Sequence, residues 1–109
     1  MAIVEQEVWG KLAQVRDPEF GRSIVERELI DRVEIEGQSV RVRYHLTVPF
    51  CPLPFALHIG REIRRLVGEL PGVARVEVEV QDHLQAETIN NELAREQSRL
   101  SQFSTPAPQ

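Results

Sequence analysis

The segment SVRVRYHLTVPFCPLPFALHIGREIRRLV, residues 39–67, decides the fold, because the spacing of its apolar residues changes part-way along. Val40, Val42, Tyr44, Leu46 and Val48 occupy every second position, with Arg41, Arg43, His45 and Thr47 between them, which is the alternation of a half-buried strand. Phe55, Ile59, Ile63, Leu66, Val67 and Leu70 then recur at helical spacing, so a helix is expected over about residues 53–69, ended by the Pro71-Gly72 pair. The only cysteine, Cys51, lies at this junction between Pro49 and Pro52. Pro52 and Pro54 suit the approach to a helix and its first turn. A thiol there meets unpaired backbone N–H groups and the positive end of the helix dipole, both of which favour the thiolate needed for metal binding or nucleophilic attack. The competing reading is structural: a small buried residue filling the base of the helix.

Working outward, Gly37 and its polar neighbours make a hairpin turn between this strand and the preceding run RVEIE. Val4, Val8, Leu12 and Val15 predict an amphipathic helix over about 3–15, which RDPEFGRS breaks. Val76, Val78 and Val80 mark a third strand, and HLQAETINNELAREQSRL a last, mostly polar helix with Ile89, Leu93 and Leu100 on its narrow apolar side. The expected class is α/β in the α+β sense: a small mixed three-stranded sheet with helices on one face, in the order α-β-β-α-β-α. One domain over residues 1–101 and a flexible tail over 102–109 are expected. The open face of the sheet would carry Glu34, Glu36, Arg41, Arg43, Glu77 and Glu79.

A chain of 109 residues with 41% hydrophobic content can bury one modest core. Its formal net charge of -4 argues against a nucleic-acid partner bound through a broad basic surface and against anionic membranes. No apolar run approaches the roughly 18–20 residues that span a bilayer, and the first residues lack the pattern of a secretion signal, so a cytoplasmic protein is expected. A single cysteine cannot make an internal disulfide.

Few polar groups stand out beside Cys51. Asp17 and Glu19 of the DPEF loop are candidates, although Asp before proline also starts turns. His58 is two helical turns beyond Cys51 on the polar side of its helix, and His45 is on the polar face of the strand, so both read as solvated. Asp82 or His83 could cap the last helix. No structural zinc spacing, phosphate loop, redox CxxC or catalytic pair of carboxylates is present.

Taken together, VRDPEFGRSIVERELIDRVEIEG, LTVPFCP and LPGVARVEVEV resemble the domain family of iron–sulfur cluster assembly factors that includes SufT-like and PaaD-like proteins. The similarity spans roughly residues 5–82. Asp17, Pro18 and Glu19 match the family's acidic loop, Ser23 and Ile24 the turn that follows, and Thr47, Cys51 and Pro52 its signature. Two departures stand out. Glu28 replaces a common glycine, so the backbone there need not adopt a glycine-only conformation. QDHLQAETIN replaces a tryptophan-containing segment, which bears on the choice of partner.

The resemblance implies a role in maturing iron–sulfur proteins, with the assembly machinery and recipient apoproteins as partners and an iron–sulfur cluster as a transient cofactor. Clusters are normally held by four ligands, mostly thiolates, so one Cys51 per chain cannot enclose one. Three arrangements follow: a site shared in a homodimer and completed by Asp17, Glu19 or an external thiol; transient receipt from a scaffold; or an adaptor whose cysteine meets the cluster only inside a complex. A carrier or adaptor is favoured over a catalyst. The alternatives are a PaaD-like accessory protein of one oxygenase or hydroxylase, and a plain interaction module with a structural thiol.

Overall fold

The computed structural model describes residues 3–18 and 20–104, with side chains through Gln97. The elements follow the expected order: α1 (Glu5–Leu12), β1 (Ile30–Glu36), β2 (Ser39–Tyr44), α2 (Leu53–Val67), β3 (Arg75–Val80) and α3 (Ala86–Ser104). β1 and β2 form an antiparallel hairpin turned at Gly37, whose φ of +61° suits a residue without a Cβ. β3 pairs parallel to β2 on its other side, because α2 carries the chain back across the sheet. Val40, Val42 and Tyr44 of β2 and Val76, Val78 and Val80 of β3 are buried against the helices. The opposite face pairs Arg41 with Glu77 and Arg43 with Glu79 across the two strands, so its charges are neutralised in rows. Among the described residues no helix is long and apolar enough to cross a membrane.

The boundaries differ from the sequence pattern where tertiary contacts decide them. α1 is shorter than expected: Val4 is the exposed N-cap residue, and Val15 is buried from the irregular segment beyond the helix. β2 ends at Tyr44 rather than Val48, since the chain must turn towards α2. On α2 the buried stripe runs through Ala56, Ile59, Gly60, Ile63, Leu66 and Val67, while Phe55 is only half-buried and faces the Cys51 turn. The side chain of Leu100 and residues 105–109 of the expected tail lie outside the described residues.

Small residues on α2 let β2 and α3 approach it closely. The Tyr44 hydroxyl donates to the Ala56 carbonyl at 2.7 Å, and burial pushes the phenol's pKa up. A Cβ on Gly60 would stand 2.8 Å from Leu93 Cδ1 and 2.9 Å from the Tyr44 hydroxyl. Gly60→Ala should therefore destabilise the protein by about 1–3 kcal/mol, although alanine is worth about 1 kcal/mol more than glycine in a bare helix. A higher urea midpoint in the variant would refute this packing.

The segment between α1 and β1 contains one correction. Arg27 N–H bonds to the Ser23 carbonyl and Leu29 N–H to the Ile24 carbonyl, closing a single helical turn in the manner of a helix C-terminus. The residue that ends it, Glu28, has φ +58°. The left-handed backbone expected only for glycine is thus adopted here by glutamate, because the closing bond to Leu29 demands it. Glu28→Gly removes that strain and should raise stability by about 1 kcal/mol in thermal unfolding, net of glycine's greater freedom in the unfolded chain.

Candidate functional site

Two segments meet at the start of α2. One is the 47–52 turn, which leaves the sheet after buried Leu46. The other is the 17–29 segment, anchored by the Arg16–Ser23 bridge and by His45 N–H donating to the Leu29 carbonyl at 2.9 Å. Between them Asp17, Pro18, Phe20, Leu29, Leu46, Thr47, Cys51, Phe55 and Ile59 enclose about 20 Å³. That is room for roughly one water molecule. Cys51 is half-buried in this wall and forms no disulfide.

Asp17 is buried and its carboxylate organises its own loop. Oδ1 accepts the Phe20 N–H at 2.5 Å, Oδ2 accepts the Arg22 N–H at 3.4 Å, and the Arg27 guanidinium lies 4.0 Å from Oδ2. The turn role anticipated for Asp-Pro is therefore present, on a residue that also lines the cavity. Arg27 joins the two segments: it donates to Thr47 Oγ1 at 3.1 Å and lies 5.0 Å from the centroid of the Phe20 ring. Ser23 is buried, and its hydroxyl accepts the Val25 N–H at 3.3 Å, so it fastens the loop without lining the cavity. Pro52 is the N-cap residue of α2 with φ −57°. Glu19 lies outside the described residues.

The first turn of α2 has neither a side-chain cap nor an acidic residue, so its positive end is left for whatever negative charge develops at Cys51. Among the described residues no group of three His, Cys, Asp or Glu could hold a metal ion. The expected members Asp17, Pro18, Thr47 and Cys51 do come together, but they supply one sulfur and one carboxylate already engaged in its loop.

Some contributors had no visible signal in the sequence. Arg27 looks like any surface cation, and only folding brings Thr47 to it. His83 is buried, with Nε2 2.7 Å from the Cys51 carbonyl oxygen, and its Nδ1 accepts the Gln85 N–H at 2.9 Å. Its Nδ1 bond holds the turn just before α3 without reaching a helical N–H of that helix, and the same ring reaches the cysteine turn. His45, read as solvated, is half-buried with Nδ1 2.8 Å from Asp31 Oδ1, whereas His58 is exposed as expected. Of the four large hydrophobic residues found exposed among those described, three stand at this end of the molecule: Phe20 (60%), Phe50 (68%) and Leu84 (77%). Leu84 is placed there by its N–H, which donates to the Pro49 carbonyl at 2.8 Å.

The family described as iron-sulfur cluster assembly protein matches residues 5–80, which include every wall of this cavity. The chain belongs to this family. Similar proteins include an iron-sulfur cluster carrier protein of Deinococcus radiodurans, 35% identical over 68 residues, which make up 62% of this chain and 19% of that protein. A protein of the same name from Synechocystis is 42% identical over 69 residues, 63% of this chain and 19% of the relative. The chain thus spans about a fifth of the length of these carrier proteins. An uncharacterized protein of Methanocaldococcus jannaschii is 33% identical over 92 residues and matches along nearly its whole length, 84% of this chain and 95% of that protein.

Proposed function

We propose that this member of the family carries iron–sulfur clusters, taking a cluster at Cys51 and passing it to a recipient apoprotein, in the cytoplasm and in contact with the assembly machinery. The observation that carries this reading is the position of the thiol: Cys51 lies in the wall of a cavity with room for about one water. A cluster ligated by Cys51 must therefore sit outside that cavity, at the protein surface. Asp17 is engaged within its own loop, so the remaining ligands come from a second chain or from small thiols. Phe20, Phe50 and Leu84 offer apolar surface for that second chain around the thiol. The step itself is ligand exchange. The Cys51 thiol loses its proton to solvent, its sulfur bonds to iron in place of a departing ligand, and no electron is transferred.

A homodimer is the second reading, favoured by the same apolar rim, since two copies would bring two Cys51 thiols to one cluster. Anaerobic reconstitution with iron and sulfide, read by visible absorption and by the mass of the assembly, tests both. Cluster absorption in a species of twice the chain mass supports the homodimer, and absorption in a single chain with added thiol supports completion by an outside ligand. Absence of absorption in both conditions rejects the carrier reading.

A further inference from the structure

We propose that His83 is a positioning residue for Cys51. The two residues are 32 positions apart and belong to different parts of the fold, yet the imidazole is buried between them and both of its nitrogens are engaged. The Gln85 backbone N–H can only donate, so Nδ1 is the acceptor, and the ring proton sits on Nε2 and is donated to the Cys51 carbonyl at 2.7 Å. Asp82, at φ +55°, turns the chain after β3 and brings the next residue inward. Leu84 N–H adds a second bond to the same turn, at the Pro49 carbonyl.

The consequence for the thiol follows from backbone geometry. The Cys51–Pro52 peptide is planar, and Pro52 has its own φ fixed by the ring. Only Cys51 ψ and Pro52 ψ then remain as soft backbone angles between the cysteine and α2, and holding the Cys51 carbonyl restrains the peptide plane between them, and so the direction of the Cα–Cβ bond relative to the helix. What remains to the sulfur is rotation about χ1.

Two substitutions separate this tether from the bond that holds the turn before α3. His83→Asn places an amide oxygen close to where Nδ1 stands, which preserves the acceptor for Gln85 N–H but does not reach Cys51. His83→Gln places an amide nitrogen near the position of Nε2, which preserves the donor to the Cys51 carbonyl. Alkylation of Cys51 by iodoacetamide at fixed pH is measured alongside the urea midpoint. Alkylation should quicken about fivefold in His83→Asn, the factor that one ordinary hydrogen bond represents, with its midpoint near wild type, while His83→Gln stays within about twofold of the wild-type rate. A wild-type rate in His83→Asn, a failure of His83→Gln to restore the rate, or rates that follow the urea midpoints would overturn the proposal. Loss of a reconstituted cluster to a chelator should follow the same order. That last readout rests on the carrier reading, whereas alkylation decides the tether even if the wild-type protein takes up no cluster.

Discussion

Cys51→Ser is expected to keep the fold and lose the cluster. The hydroxyl replaces a half-buried thiol of similar size beside a cavity with room for about one water, so the stability change should stay below about 1 kcal/mol. Ligation, by contrast, depends on the atom. Thiolate is the soft ligand that iron–sulfur clusters use, while a serine hydroxyl remains protonated near neutral pH and binds iron poorly. Asp17 cannot substitute without giving up the N–H groups of Phe20 and Arg22, which would undo the loop that forms the cavity wall. Reconstitution of the variant should therefore give less than about a tenth of the wild-type absorption, with an unchanged far-ultraviolet spectrum. Full uptake by the serine variant would remove Cys51 from the site and leave it a structural thiol.

Glu96→Gln should produce the largest loss of stability through charge. Glu96 on α3 accepts from Arg61 Nη2 at 2.6 Å and from Arg64 Nη2 at 2.9 Å, joining α3 to α2. Arg64 is largely buried and also donates to the Leu93 carbonyl at 2.9 Å, so this carboxylate is the counter-charge to a buried guanidinium. The Arg61 hydrogen bond above all, with help from Arg64, holds the Glu96 carboxyl at about 2, far below its ordinary value of 4.5, against the opposing effect of burial. A depressed folded-state pKa contributes stability above the unfolded-state value and loses it as pH falls towards the folded one. The contribution is therefore complete above about pH 5 and fades towards pH 2, and with solvent screening it amounts to roughly 2 kcal/mol. At pH 7, Glu96→Gln should lower the melting temperature by about 8 °C, from about 4 °C per kcal/mol for a domain of this size. By about pH 2 the difference from wild type should vanish. A constant offset from pH 7 to pH 2 would show that the residue acts through packing and not through charge.

The periodicities that place the elements are local, and so they were legible. β2, α2 and β3 need only a count of apolar spacing, and the ion-paired face of the sheet follows from where Arg41, Arg43, Glu77 and Glu79 fall in that count. Cys51 at the start of α2 was legible for the same reason, from a strand, two prolines and a helix in succession. The family pattern added Thr47, which local chemistry alone left as a strand residue, and matched Asp17, already a candidate that could equally have been a turn former. Phe55 shows the limit of counting. Its spacing fits the buried stripe, but Ala56 and Gly60 take the packed positions because β2 and α3 approach too closely for a larger side chain.

The amino-acid sequence by itself determined the order of elements, the single thiol and its place at a helix start, because each depends on residues within a few positions of one another. Tertiary structure decided what surrounds the thiol. Arg27 meets Thr47 across 20 residues, and His83 meets the Cys51 carbonyl across 32. Neither contact has a periodicity to announce it. Glu28 in a left-handed turn escaped for a different reason: the bond that imposes this backbone, from Leu29 to Ile24, is local, but a glutamate gives no sign of a positive φ. Local spacing sets which face of an element is apolar, but a hydrogen bond between distant residues forms only once the core has fixed their separation.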